Sequence, residues 1–68
     1  MKVKLTLINK NYESRTKLEL GDSIVLELAN LNTTAGERAI AEAIKTQHGK
    51  TVGGGVGSSS DIWERSKA

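Results

Sequence analysis

His48 is the only histidine in this chain, and there is no cysteine to serve as a thiolate nucleophile or metal ligand. A serine nucleophile needs a base and a third group to orient that base. Six serines are present, yet none comes with an evident orienting partner for His48. His48 instead stands before Gly49 at what reads as a helix end, where a cationic ring is favoured by the helix dipole. Every carboxylate has a simpler capping or surface role, so no pair is assigned to general acid–base work. The expectation is a non-enzymatic protein with no catalytic residues, no metal site and no cofactor.

Phosphate chemistry is the next possibility. Gly49-Lys50-Thr51 has the ending of a P-loop, but the earlier glycine of that motif falls at Ile44, and the triplet follows a predicted helix where it should precede one. Gly53-Gly54-Gly55-Val56-Gly57-Ser58 lacks the last glycine of a dinucleotide fingerprint and has no long helix after it. A less demanding arrangement survives both rejections. Lys50 and Thr51, with the amides of Gly53, Gly54, Gly55, Ser58 and Ser59, could hold a small anionic ligand such as a nucleotide in an anion-binding concavity. The competing reading, which Gly/Ser composition favours, is a flexible connector.

Trp63 and Tyr12 are the only aromatics. Both residue types are enriched at interface hot spots, so Trp63, its neighbour Ile62, and Tyr12 are the candidate partner-binding residues. In the competing reading Ile62 and Trp63 fold back to cap a core that is short of apolar area.

The charge balance excludes more than it suggests. Ten Lys and Arg against eight Asp and Glu leave a net charge of +2. A nucleic-acid surface would rest on Lys2, Lys10, Arg15, Lys50 and Arg65, without a basic stripe and without aromatics on strands for stacking. Nucleic acid is therefore not an expected partner. No window approaches the length of apolar sequence that spans a membrane, and Met1-Lys2-Val3-Lys4 alternates where a signal peptide would be continuously apolar. The expected location is cytoplasmic, with no membrane partner.

The elements that must position these residues follow from periodicity. The 68 residues form one small domain with sixteen Leu, Ile and Val and no Phe. A core of that size seldom yields more than roughly 3–5 kcal/mol of net stability. Residues 1–31 read as a three-stranded antiparallel β-meander. Val3, Leu5 and Leu7 alternate with Lys2, Lys4 and Thr6; Thr16, Leu18 and Leu20 resume the alternation; Ile24, Leu26 and Leu28 complete it. In the register that agrees on both faces, Leu7 meets Thr16, Leu18 meets Leu26, Lys4 meets Glu19 and Lys17 meets Glu27.

Residues 34–48 read as an amphipathic helix, opened by a capping box from Thr34 to Glu37 and presenting Ala39, Ile40, Ala43 and Ile44 to the sheet. Residues 49–61 form a Gly/Ser-rich loop, and 62–68 a tail that begins as a short strand or a turn.

The predicted fold class is α+β. The function that fits is a small binding module acting through protein–protein contact, as an inhibitor, adaptor or small subunit, and expected to self-associate as a homo-oligomer. Ile62 and Trp63 would anchor the partner, with an exposed edge strand as a second docking surface. The alternatives are an oligomeric binder of a small anionic ligand and, after it, a nucleic-acid-binding protein.

Overall fold

The alternation of Val3, Leu5 and Leu7 with Lys2, Lys4 and Thr6 extends the chain as predicted. In the computed structural model, which describes residues 1–68, strand β1 runs Lys2–Leu7 with its three aliphatics buried. β2 (Ser23–Glu27) and β3 (Trp63–Lys67) flank it, giving a three-stranded antiparallel sheet of order β2-β1-β3. Val3 lies opposite Leu26 and Leu5 opposite Ile24 on one side. On the other, Leu7 lies opposite Trp63 and Leu5 opposite Arg65. A helix, α2 (Glu37–His48), packs on the apolar face, so the domain is α+β with one sheet face covered and one open.

The strand expected at Thr16–Leu20 does not form. Lys10–Tyr12 make a 3-10 turn and Glu13–Thr16 a single helical turn, α1, after which Lys17 takes a left-handed backbone at φ 57°. Short polar side chains drive this outcome by bonding nearby backbone. Asn9 Oδ1 accepts from the Asn11 N–H, and the Thr16 hydroxyl donates to the Tyr12 carbonyl at 2.7 Å. Thr16 Oγ1 accepts in turn from Leu18 N–H, while the carboxylates of Glu13 and Asp22 accept from Leu20 N–H and Glu19 N–H.

Amides that a ladder would have used are thus satisfied inside the loop. Thr16 and Leu18 are still buried, but Leu20 is 48% exposed, so the alternation ends before it can make a strand. β3 occupies the second place beside β1. The cross-strand charges change accordingly: Lys2, rather than Lys17, lies opposite Glu27, and Lys4 lies opposite Val25 and Ser66 instead of Glu19.

Two details of the helix also differ from expectation. Its N-cap is Gly36, extended at φ −75° and ψ 160°, with no side-chain cap, so the Thr34–Glu37 capping box is not made. The Ala35 N–H is instead taken by Ser58 Oγ at 2.8 Å, which holds the approach to the helix against the Gly/Ser loop. The buried face is Ile40, Ala43 and Ile44; Ala39 is exposed. At the other end Gly49, at φ 70°, closes α2 where the sequence places its end, with its N–H donating to Lys45 O.

The core gathers Val3, Leu5, Leu7, Leu18, Ile24, Ile40 and Ile44 with Val56, Ile62 and Trp63 from the last third of the chain. α2 covers the β2 side of the apolar face, and residues 53–58 with Ala35 cover the β3 side.

Candidate functional site

Trp63 is buried to 1% exposure, and its indole N–H donates to the Gly57 carbonyl at 2.8 Å. Ile62 is buried beside it, with both backbone amides donating to Ser59 O. The pair caps the chain's own core, so their side chains are not on the surface where a partner would meet them. The cause is the lack of other large side chains: without Phe, the one indole is needed to fill the space opposite Leu7. Tyr12 is half-buried against the core, with the Arg15 guanidinium 5.4 Å from its ring centroid. The three candidate partner residues are therefore core or core-edge positions.

The Gly/Ser loop is a built segment. Val56 and Ser58 are buried, Ser58 serves the Ala35 amide, Gly57 serves Trp63, and the Ser59 hydroxyl donates to the Asp61 carboxylate. Gly54 and Gly55 have φ of 90° and 83°, a left-handed backbone that side chains disfavour. Lys50 Nζ donates to the Lys17 carbonyl at 2.8 Å, and Thr51 is exposed.

Gly53 and Gly54 border an open concavity of about 280 Å³ with Val52, Glu37, Arg38 and Ala41. No backbone N–H from Lys50 to Asp61 donates to a protein acceptor. Of the residues expected to hold an anion, Gly53 and Gly54 thus line the hollow, whereas Ser58 and Lys50 are committed elsewhere.

The sheet edges differ sharply, and the difference follows from the ladder. Leu28 N–H donates to Met1 O and Leu7 N–H to Asp22 O, so the even residues of β2 turn their backbone toward β1 and Ser23, Val25 and Glu27 turn theirs outward. The end of α2 closes that outer edge at both backbone groups of Val25 and at the Ser23 carbonyl, while the Ser23 N–H and the backbone groups of Glu27 make no bond. Gln47 Oε1 accepts from Val25 N–H at 2.8 Å, Gln47 Nε2 donates to Val25 O at 2.7 Å, and His48 Nε2 lies 2.7 Å from Ser23 O. A carbonyl only accepts, so this bond is made with a proton on His48 Nε2. No single-sequence signal marks Gln47 for this role beyond its place one turn past Ile44.

β3 carries no such cover. Ile8 N–H donates to Ile62 O and Ala68 N–H to Lys2 O, which turns the backbone of Ile62, Glu64, Ser66 and Ala68 toward β1. Trp63, Arg65 and Lys67 therefore face outward. The Trp63 N–H is taken by Ser59 O, but the N–H and C=O of Arg65 and Lys67 have no partner in the chain. Glu64, Ser66 and Lys67 are exposed and Arg65 is half-buried, its Nη2 3.4 Å from Thr33 O and its buried Nε without an acceptor.

The fold brings no three His, Asp or Glu side chains together, and no helix is long and apolar enough to cross a membrane. No protein-family model matches the chain, and neither a curated protein nor a solved structure matches it.

Proposed function

We propose that this chain is a protein-binding module that receives an extended segment of a partner along the outer edge of β3. The observation that supports the reading is the asymmetry of the two edges. Gln47 and His48 bond the two outward groups of Val25 and the Ser23 carbonyl at the middle of β2, whereas the outward N–H and C=O groups of Arg65 and Lys67 are open. An added strand would gain main-chain hydrogen bonds of about 0.5–1.5 kcal/mol each, with specificity from alternate side chains. The docking surface moves from Trp63 and Ile62, which are buried, to the backbone of the same strand.

Lys67→Pro tests the reading. It removes an outward N–H that makes no bond in the chain, a place where an edge strand tolerates proline. A displayed library of short blocked peptides panned against the wild type is expected to yield binders that lose the Lys67→Pro variant while its melting temperature stays unchanged. Binders indifferent to the substitution, or no binders at all, overturn the proposal.

A second reading, an anion held by the loop, is favoured by the unbonded amides from Lys50 to Asp61. It ranks lower because Lys50 is bonded to Lys17 and the Glu37 carboxylate lines the same hollow. Its test is a rise in melting temperature with inorganic phosphate or a nucleotide that persists in added salt.

A further inference from the structure

Resting on the strand-addition reading, we infer that the strand received at β3 is an acidic one, with carboxylates at alternate positions opposite Arg65 and Lys67. Residues two apart on a strand place their side chains on one face, and residues directly opposite across an antiparallel ladder bring their Cβ atoms to about 4.5–5.5 Å. Of the three outward-facing positions, the two whose N–H groups are unbonded, Arg65 and Lys67, are cations. Every residue that docks squarely against them meets positive charge.

Neither cation is neutralised by the chain itself. The one ion pair joins the Met1 ammonium to Glu27, on the far strand. The one hydrogen bond of the Arg65 guanidinium is a long contact from Nη2 to the Thr33 carbonyl, and Nη1 is neither bonded nor buried, so it can donate to a carboxylate. Glu64 and Ser66 point to the opposite sheet face, so the residue between the partner's two carboxylates meets polar or negative groups and is neutral or basic.

The same charges disfavour a second copy of this chain. A two-fold pairing centred on Arg65 sets Arg65 against itself, and one centred on Ser66 sets Arg65 against Lys67 of the copy. Like charges directly opposite destabilise a ladder. Registers shifted toward Trp63 meet an N–H already bonded to Ser59 O and the turn that precedes it.

The test uses a short blocked peptide of threonines carrying two glutamates separated by one residue, and a control with glutamines in their place. Both are titrated against the full chain with backbone-amide NMR as the readout. The expected result is shifts confined to Arg65, Lys67 and their neighbours, with the glutamate peptide binding about tenfold more tightly than the control at low salt. Lys67→Glu, at an exposed position whose side chain makes no hydrogen bond or ion pair, is expected to remove or reverse that preference while leaving the melting temperature unchanged.

Equal binding of the two peptides at the β3 edge overturns the charge inference and leaves strand addition standing. Binding of the acidic peptide with shifts elsewhere also overturns it. If neither peptide binds and the Arg65 and Lys67 amides shift with protein concentration as the mass doubles, the occupant is a second copy and the inference falls. If neither binds and the chain stays monomeric, the strand-addition reading falls with it.

Discussion

The side-chain amide of Gln47 bonds both backbone groups of Val25, accepting from its N–H at 2.8 Å and donating to its C=O at 2.7 Å. A carboxamide presents the same donor and acceptor as a peptide group, so Gln47 stands where a fourth strand would otherwise pair. Open edges invite pairing with other chains, and covering an edge with a helix is one of the ways proteins prevent it. The middle of one edge of this sheet is covered in that manner, and the other edge is left open.

Removing the cover has two readable effects. Gln47→Ala gives up two hydrogen bonds at an exposed site, and unfolding in urea is expected to register a loss of about 0.5–1.5 kcal/mol. Hydrogen exchange of the Val25 amide rises more than that of its neighbours in β1, because Val25 N–H then faces water alone. Unchanged protection at Val25 contradicts the geometry.

Trp63 supports the fold before it supports any contact. Trp63→Ala is expected to cost about 3–5 kcal/mol, as large as the whole stability common at this size, and to leave the chain largely unfolded by circular dichroism at room temperature. Trp63→Phe keeps most of the apolar volume and loses the bond to Gly57 O, so it is expected to fold with a lower melting temperature. A Trp63→Ala variant as stable as the wild type contradicts its place in the core.

Ser58 belongs to the structural part of the Gly/Ser loop. Ser58→Ala strips the buried Ala35 N–H of its acceptor, and equilibrium unfolding is expected to show a loss of about 1–3 kcal/mol. Ser60→Ala, at an exposed position with no hydrogen bond of its side chain, is expected to fall within about 0.5 kcal/mol of wild type. Equal effects of the two substitutions contradict the assigned roles.

Gly49 isolates a backbone effect. A Cβ added there meets nothing within 4 Å, so the cost of Gly49→Ala comes only from its φ of 70°. About 1 kcal/mol is expected from thermal or urea unfolding, since left-handed backbone disfavours an L side chain by roughly that amount. Stabilisation by the substitution would show that α2 does not end in this conformation.

Local pattern by itself determined β1, the residues Ile40, Ala43 and Ile44 of the helical face though not the exposed Ala39 assigned with them, the helix end at Gly49, and the α+β class. Each of these depends on residues close in sequence, where periodicity and capping chemistry act directly. The alternation of Thr16, Leu18 and Leu20 was equally regular and still did not make a strand, because the hydrogen bonds of Glu13, Thr16 and Asp22 to nearby amides compete with pairing at short range.

Tertiary structure decided which strand fills the second place beside β1, and that choice drew Trp63 into the core and turned the Arg65 and Lys67 backbone outward. It also brought Gln47 and His48 to β2, more than twenty residues away in sequence. A side chain's burial and an edge's exposure depend on which distant segments meet, and the spacing of residues along one chain carries no term for that meeting.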